Sequence, residues 1–219
     1  NHLYHLNLLS LCSYLSFGII IQKRSFMPRI DNEKFYKSSI KKYGLSAKGV
    51  QWNSLYSQKI RFEIILKMLP KDLYNYTLVD AGCGFGDFYN FLKSKNQLPL
   101  RYIGIDTLDT MVNIAQTKTS QKIIKADICK DKLIEADYYI CSGAMNILDK
   151  FETHLFIQNC YNYSKKGFIF NILYGDKESE TYNYIDMKKI KQIAKYLKVR
   201  DIKTSTSYLK SDITVLFKH

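Results

Sequence analysis

The stretch VDAGCGFGDF, Val79–Phe88, sets Gly82, Gly84 and Gly86 at every second position, directly behind an acidic residue and a short apolar run. Glycine reaches positive φ and carries no Cβ, so such a loop between a strand and a helix lets a ligand lie against the backbone. The spacing separates the kinds of ligand. A nicotinamide or flavin dinucleotide loop reads G-x-G-x-x-G, and counted from Gly82 its third glycine falls on Asp87. An acid at that helix start repels a pyrophosphate, which makes a dinucleotide the poorer fit. No G-K-[ST] follows the glycines, so a Walker loop is excluded.

Outward from the loop, the chain alternates. Thr77–Ala81 reads as a strand and Asp87–Lys95 as a helix with Phe88, Phe91 and Leu92 on one side. Arg101–Asp106, Gln121–Ala126, Ala136–Cys141 and Gly167–Leu173 follow as strands, with helices expected over Asp109–Gln116, Phe151–Tyr163 and Met187–Leu197. Upstream, Leu55, Ile60, Phe62, Ile64, Ile65, Met68 and Leu69 mark an amphipathic helix that Pro70 closes. Parallel neighbours need crossovers, so this alternation predicts an α/β, doubly wound, mostly parallel sheet with helices on both faces and a ligand site beyond the carboxyl ends of the strands. The end differs: Val199–Tyr208 and Ile213–Lys218 have no helix between them and meet across Leu209–Asp212, a C-terminal antiparallel β-hairpin.

The 219 residues, 46% apolar and 14% aromatic, suffice for one substantial core. Residues 27–219 are expected to form the functional domain. Asn1–Phe26 contains no acid and reads as a weakly structured extension that need not be native, with translation expected to start at Met27. Its apolar stretch Leu8–Ile21 is broken by Ser10, Ser13, Ser16 and Gly18 and falls short of the ~20 apolar residues a membrane span requires. The charge order of a signal peptide is reversed there, so no membrane partner is expected. Cys12, Cys83, Cys129, Cys141 and Cys160 are scattered and never form C-x-x-C, which suggests neither disulfides nor a metal site and fits a cytoplasmic setting. Cys83 reads as a small residue fitted into a tight turn, with a nucleophile as the alternative. The net charge of +13 allows a nucleic-acid partner, but the lysines are spread along the chain without an arginine cluster.

The run D-A-G-C-G-F-G, Asp80–Gly86, resembles the D/E-x-G-x-G-x-G first motif of the class I S-adenosylmethionine (SAM)-dependent methyltransferases, and the likeness extends over Leu55–His219. The resemblance implies a seven-stranded sheet, SAM as methyl donor and S-adenosylhomocysteine (SAH) as product. It places Asp80 near the methionine portion, Gly82, Cys83 and Gly84 against the donor, and Asp106 on the ribose hydroxyls. Thr107 and Leu108 would flank the adenine, Asp127 accept from the adenine amino group and Ile128 offer its backbone amide. The alternative for Asp106 or Asp109 is a helix cap, the role expected of Asp109. Ser142, in CSGAMNIL (Cys141–Leu148), falls where this family meets donor and acceptor, and Ala144 there fits sheet packing equally well. In WNSLYSQKIRF (Trp52–Phe62), Arg61 is a candidate for the methionine carboxylate and Trp52 or Tyr56 for a cover, against a solvated arginine and a core tryptophan.

Methyl transfer from a sulfonium needs alignment more than side-chain chemistry, so no obligatory catalytic residue is expected. His154, Tyr56, Tyr174 and Tyr184 are candidate bases, each with a packing role as the alternative. The [DNS]-P-P-[YF] motif that amino-group methyltransferases acting on adenine or glutamine resemble one another in is missing, and no proline follows Pro99. A small-molecule acceptor is expected, with an RNA acceptor or a non-catalytic methyltransferase-like binding subunit as alternatives. The polar segment Tyr174–Met187 reads as a substrate-facing lid or a plain exposed loop. The sequence leaves the oligomeric state open.

Overall fold

The computed structural model describes residues 54–219 together with Lys34, Ser38, Lys41, Lys42 and Gly44; the expectations for residues 1–26, Met27 and Trp52 lie outside the described residues. Helix α1 (Leu55–Met68) opens with a capping box, in which Ser57 N–H donates to Ser54 Oγ at 3.1 Å, and ends at Leu69, held extended before Pro70. Strands β1 (Thr77–Ala81), β2 (Arg101–Asp106), β3 (Lys122–Lys125), β4 (Ala136–Ser142) and β5 (Ser164–Tyr174) run parallel, separated by α2 (Asp87–Ser94), α3 (Asp109–Thr119) and α4 (Lys150–Tyr163). After β6 (Tyr184–Ile185) and α5 (Met187–Tyr196), β7 (Asp201–Ser205) and β8 (Asp212–Lys218) form the expected antiparallel hairpin, and β8 pairs antiparallel with β5.

The strand order is β3-β2-β1-β4-β5-β8-β7, a seven-stranded path as expected, with the two-residue β6 added beside β5. The chain leaves β1 towards β2 and β3, then returns to β4 on the other flank. That reversal puts the switch in strand order between β1 and β4, and open α/β sheets bind ligands at the carboxyl ends of the strands near such a switch.

Alternation along the strands builds two cores. Leu78, Tyr102, Ile140, Ile169 and Leu216 face α1, α2 and α3, where Phe62, Ile65, Phe88, Leu92 and Ala115 meet them. Val79, Ile105, Tyr139, Cys141, Phe170 and Phe217 face α4 and α5, packing on Phe156, Ile157, Cys160, Ile190 and Ile193. Both faces of β1 are therefore covered, which is why the run before the glycines is apolar without a break apart from Asp80.

Two local expectations are corrected. Helix α3 continues beyond Gln116 to Thr119, where Ser120 at φ 56° ends it. Asp109 does not cap that helix: Leu108 holds the N-cap position without a side-chain bond, while Asp109 lies in the first turn and pairs with Lys125 Nζ at 2.6 Å. A carboxylate in the first turn is favoured by the helix dipole without being the cap.

Candidate functional site

The site begins at Asp80, which points its carboxylate into the sheet beneath the helices and is only 2% exposed. Tyr102, two residues into β2, donates its hydroxyl to Asp80 Oδ2 at 2.6 Å. Burial pushes Asp80 up to about 7; the Tyr102 hydrogen bond opposes the rise, and Asp106 and Asp87 add to it. No salt bridge reaches Asp80 among the described residues. It is a desolvated acid held near its neutral form, suited to a cationic group brought by a ligand.

Beyond Asp80 the chain turns tightly. Gly82 N–H and Cys83 N–H both donate to Ile105 O, at 2.8 and 3.0 Å, tying the loop to the end of β2. Gly82 sits at φ 76°, and a Cβ on it would run into the Ala144 methyl, so the glycine loop and the end of β4 touch there. Gly82→Ala is expected to destabilise the protein by about 1–2 kcal/mol from the left-handed backbone alone, checked by urea denaturation. Cys83 is buried against Gly104, and burial pushes its thiol well above the ordinary range. A protonated, enclosed thiol is a turn filler, the first of the two roles the sequence allowed.

Asp106 closes the other side of the loop. Its Oδ2 accepts from Gly84 N–H at 2.9 Å and its Oδ1 from Leu108 N–H at 3.1 Å. Burial pushes the carboxyl up to about 6, against the backbone amides of Leu108, Gly84 and Thr107. Each oxygen keeps a lone pair for a further donor. Thr107 is exposed and Leu108 half-buried, at the rim. Past β3, Asp127 is half-buried; Oδ1 accepts from Cys129 N–H at 2.9 Å and Oδ2 pairs with Lys130 at 2.9 Å. Ile128 is buried, and its carbonyl accepts from Asn159 Nδ2 at 2.8 Å.

At the end of β4, Ser142 is half-buried and donates to Asn171 Oδ1 at 3.1 Å, before Gly143 at φ 80° turns the chain into the 3-10 segment Ala144–Ile147. Arg61 lies buried on α1, and its Nε and Nη2 bond both oxygens of Asp212 on β8, at 2.9 and 2.5 Å. The solvated arginine is thereby ruled out, and the guanidinium edge offered to a carboxylate is held by a residue of the chain itself. Burial raises the Asp212 carboxyl even with Arg61 against it. One turn earlier, Gln58 Nε2 donates to Asp87 Oδ2 at 3.1 Å, and Lys118 Nζ bonds Asp87 Oδ1 at 2.9 Å. Asp87 therefore binds α1 and α3 to the start of α2.

The candidate bases scatter. His154 on α4 packs at a tilt against Tyr196, 5.2 Å between ring centres, on the face away from the loop, and burial lowers its pKa. Tyr56 is 67% exposed. Tyr174 and Tyr184 lie where β5 and β6 pair, beyond Ser142. The segment after β5 is anchored, because Asn183 N–H donates to Asn146 O at 2.7 Å and Asn183 Nδ2 to Thr153 Oγ1 at 2.7 Å. Tyr102, Asn171 and Asp212 were not singled out from the sequence; the available signal was a polar residue within an apolar strand, as in FIFNIL, Phe168–Leu173.

Asp80, Gly82, Cys83, Gly84, Asp106, Thr107 and Leu108 thus form one contiguous rim around the ends of β1 and β2, with Asp127 and Ile128 beyond β3 and Ser142 at the end of the neighbouring β4. A desolvated acid and a carboxylate with spare lone pairs suit a ligand with a cation at one end and vicinal hydroxyls at the other. Among the described residues no cluster of three metal-ligating side chains occurs, and no helix is long and apolar enough to cross a membrane.

Residues 78–167 match the family described as "Methyltransferase domain". No curated protein matches the chain. Magnesium protoporphyrin IX methyltransferase from Synechocystis, solved with bound SAH, superposes with a TM-score of 0.64 at 13% identity, over 85% of this chain and 94% of that one. A TehB-like SAM-dependent methyltransferase from Corynebacterium glutamicum gives 0.60 at 14% identity, over 85% and 98%. A SAM-dependent methyltransferase from Archaeoglobus fulgidus gives 0.56 at 16%, over 75% and 98%. Identities this low carry the fold alone. Residues 78–167 of this chain are similar to a methyltransferase domain, within a fold that these SAM-dependent methyltransferases share.

Proposed function

We propose that the chain transfers a methyl group from SAM to a small-molecule acceptor, with Asp80, Gly82, Cys83, Gly84, Asp106, Thr107, Leu108, Asp127, Ile128 and Ser142 holding the donor. The observation that carries this reading is the pair of carboxylates flanking the glycine loop: Asp80, buried with no ion pair among the described residues, and Asp106, with both oxygens oriented by backbone amides. Bound SAM would supply an electrophilic methyl on a sulfonium. Asp80 suits the donor's ammonium, Asp106 the ribose hydroxyls, and the open backbone at Gly82 and Gly84 lets the donor lie close. Arg61, first expected to take the methionine carboxylate, serves this reading indirectly by fixing α1 over the sheet through Asp212.

The chain's contribution to such a reaction is alignment and exclusion of water. Ala144 against Gly82 sets the spacing between the glycine loop and the end of β4, where the acceptor would approach. No described side chain is required as an obligatory base, and an acceptor that ionises in solution needs none.

The Asp80 shift gives a pH test. Its folded pKa lies above the ordinary carboxylate value, so the stability linked to its proton is full below about pH 4 and is lost as pH rises through about 7. Binding an ammonium favours the carboxylate, so SAH affinity should rise with pH and level off above about 7. Asp80→Asn should flatten the profile, and Tyr102→Phe, which removes a bond favouring the charged form, should move the rise to higher pH. Calorimetric titration of SAH across pH 5.5–8.5, roughly the range the shift spans, checks all three; a flat wild-type profile speaks against Asp80 as the ammonium partner.

The net charge of +13 favours a second reading, an RNA acceptor. Affinity for RNA that falls steeply with salt would support it; salt-insensitive weak binding would leave the small molecule.

A further inference from the structure

The carboxyl ends of β4 and β5 and the start of β8 place Ser142, Asn171 and Thr214 side by side in one row across the sheet. Two residues along each strand, the preceding row is Ile140, Ile169 and Leu216, which packs beneath α1 to α3. The polar row therefore lies on the same face as Asp80, one, two and three strands further along the sheet.

Asn171 is fully buried. Its Oδ1 accepts from Ser142 Oγ at 3.1 Å, and its Nδ2 has no partner among the described residues. Thr214 is occupied by the Tyr208 hydroxyl at 2.7 Å. A buried amide donor left alone costs about 1–3 kcal/mol, and exchanging the amide oxygen and nitrogen would leave the outer atom just as isolated. The flanking Phe170 and Ile172 point to the other core, and the next residues on this face, Ile169 and Leu173, are apolar. An apolar side chain would satisfy the packing here without that cost. The neighbouring Ser142 and Gly143 are half-buried, and Ala144 touches the glycine loop. The unpartnered donor thus stands beside the donor pocket, on its acceptor side.

We propose that Asn171 Nδ2 is a recognition group for the methyl acceptor, donating to an oxygen of that molecule (a carboxylate, carbonyl or phenolic oxygen), while Ser142 Oγ donates to Oδ1. The inference rests on the methyl-transfer reading. An ammonium could not fill this role, since it offers only donors to a donor. Tyr208 and Thr214 border the place but bond each other, so Asn171 supplies the free hydrogen bond. Acceptors carrying such an oxygen would be selected over isosteres that lack it, because those leave the amide buried and alone.

The test uses the full chain, labelled with nitrogen-15 and saturated with SAH. Benzoate, benzamide and phenol are titrated in while the side-chain amide signals are followed, with benzylamine as control. The Asn171 signals, identified by their loss in Asn171→Leu and Asn171→Ala, should shift with the oxygen-bearing probes and stay put with the amine. Asn171→Leu should melt no lower than the wild type and keep SAH affinity within about twofold. Absence of any Asn171 shift into the millimolar range, a shift with benzylamine alone, or a tenfold loss of SAH affinity in both variants would overturn the proposal, the last by assigning the amide to the methyl donor. The wild-type titration decides even if a variant fails to fold. Failure of SAH to bind wild-type protein would instead overturn the underlying methyl-transfer reading, and is seen before any probe is added.

Discussion

Arg61→Met should destabilise the folded protein by about 3–5 kcal/mol, the largest effect expected of any single substitution considered for this chain. The residue is 8% exposed, its partner Asp212 is 3% exposed, and both carboxylate oxygens receive its nitrogens. The pair contributes little net stability as such, since burial already holds Asp212 above its ordinary range with Arg61 in place. Removal of one partner is what costs, because the remaining carboxylate must either stay charged in an apolar setting or take up a proton. The deficit should therefore shrink at low pH, where Asp212 is protonated in the folded and unfolded states alike, and grow towards neutrality. Arg61→Met with Asp212→Leu should recover most of the loss. Denaturant melts at two pH values check both statements, and a single variant as stable as the wild type would mean that the pair does not anchor α1 to β8.

Asp106→Ala should weaken SAH binding by one to two orders of magnitude, about 1.4–2.8 kcal/mol. The carboxylate does two things at once. It holds the Gly84 amide at 2.9 Å and the Leu108 amide at 3.1 Å, which shapes the loop, and it keeps a lone pair on each oxygen for the donor's vicinal hydroxyls. Alanine removes the hydroxyl partners and frees the Gly84 amide. Asp106→Asn retains the shape and one accepting oxygen, so it should lose less. Calorimetry on the two variants, with melting temperatures measured alongside, separates lost contacts from a loosened loop.

How much of this the sequence announced follows the range over which its signals act. Thr77–Ala81, the three glycines and Arg101–Asp106 were legible to the residue, because strand, turn and helix start are encoded within ten positions of one another. The hairpin was legible from the missing helix between Val199 and Lys218, though the first strand proved shorter, Asp201–Ser205, and the second began one residue earlier, Asp212–Lys218. Two-residue β6 shows no period and was invisible within a polar segment. The pairs that organise the site are a different matter. Arg61 and Asp212 lie 151 positions apart, and Tyr102 and Asp80 lie 22 apart on different strands. Neither spacing follows any local repeat, so only the sheet order brings them together. Asn171 was visible as an odd residue in an apolar run, but its missing partner is a property of three strands at once.

The methyl-transfer reading requires the carboxyl ends of β1 and β2, around the glycine loop, to receive SAM. Calorimetric titration of SAH into the full wild-type chain, with NADH as control, tests it most directly. The account predicts saturable one-to-one binding of SAH and none of NADH; binding of NADH with no response to SAH from folded protein would contradict it.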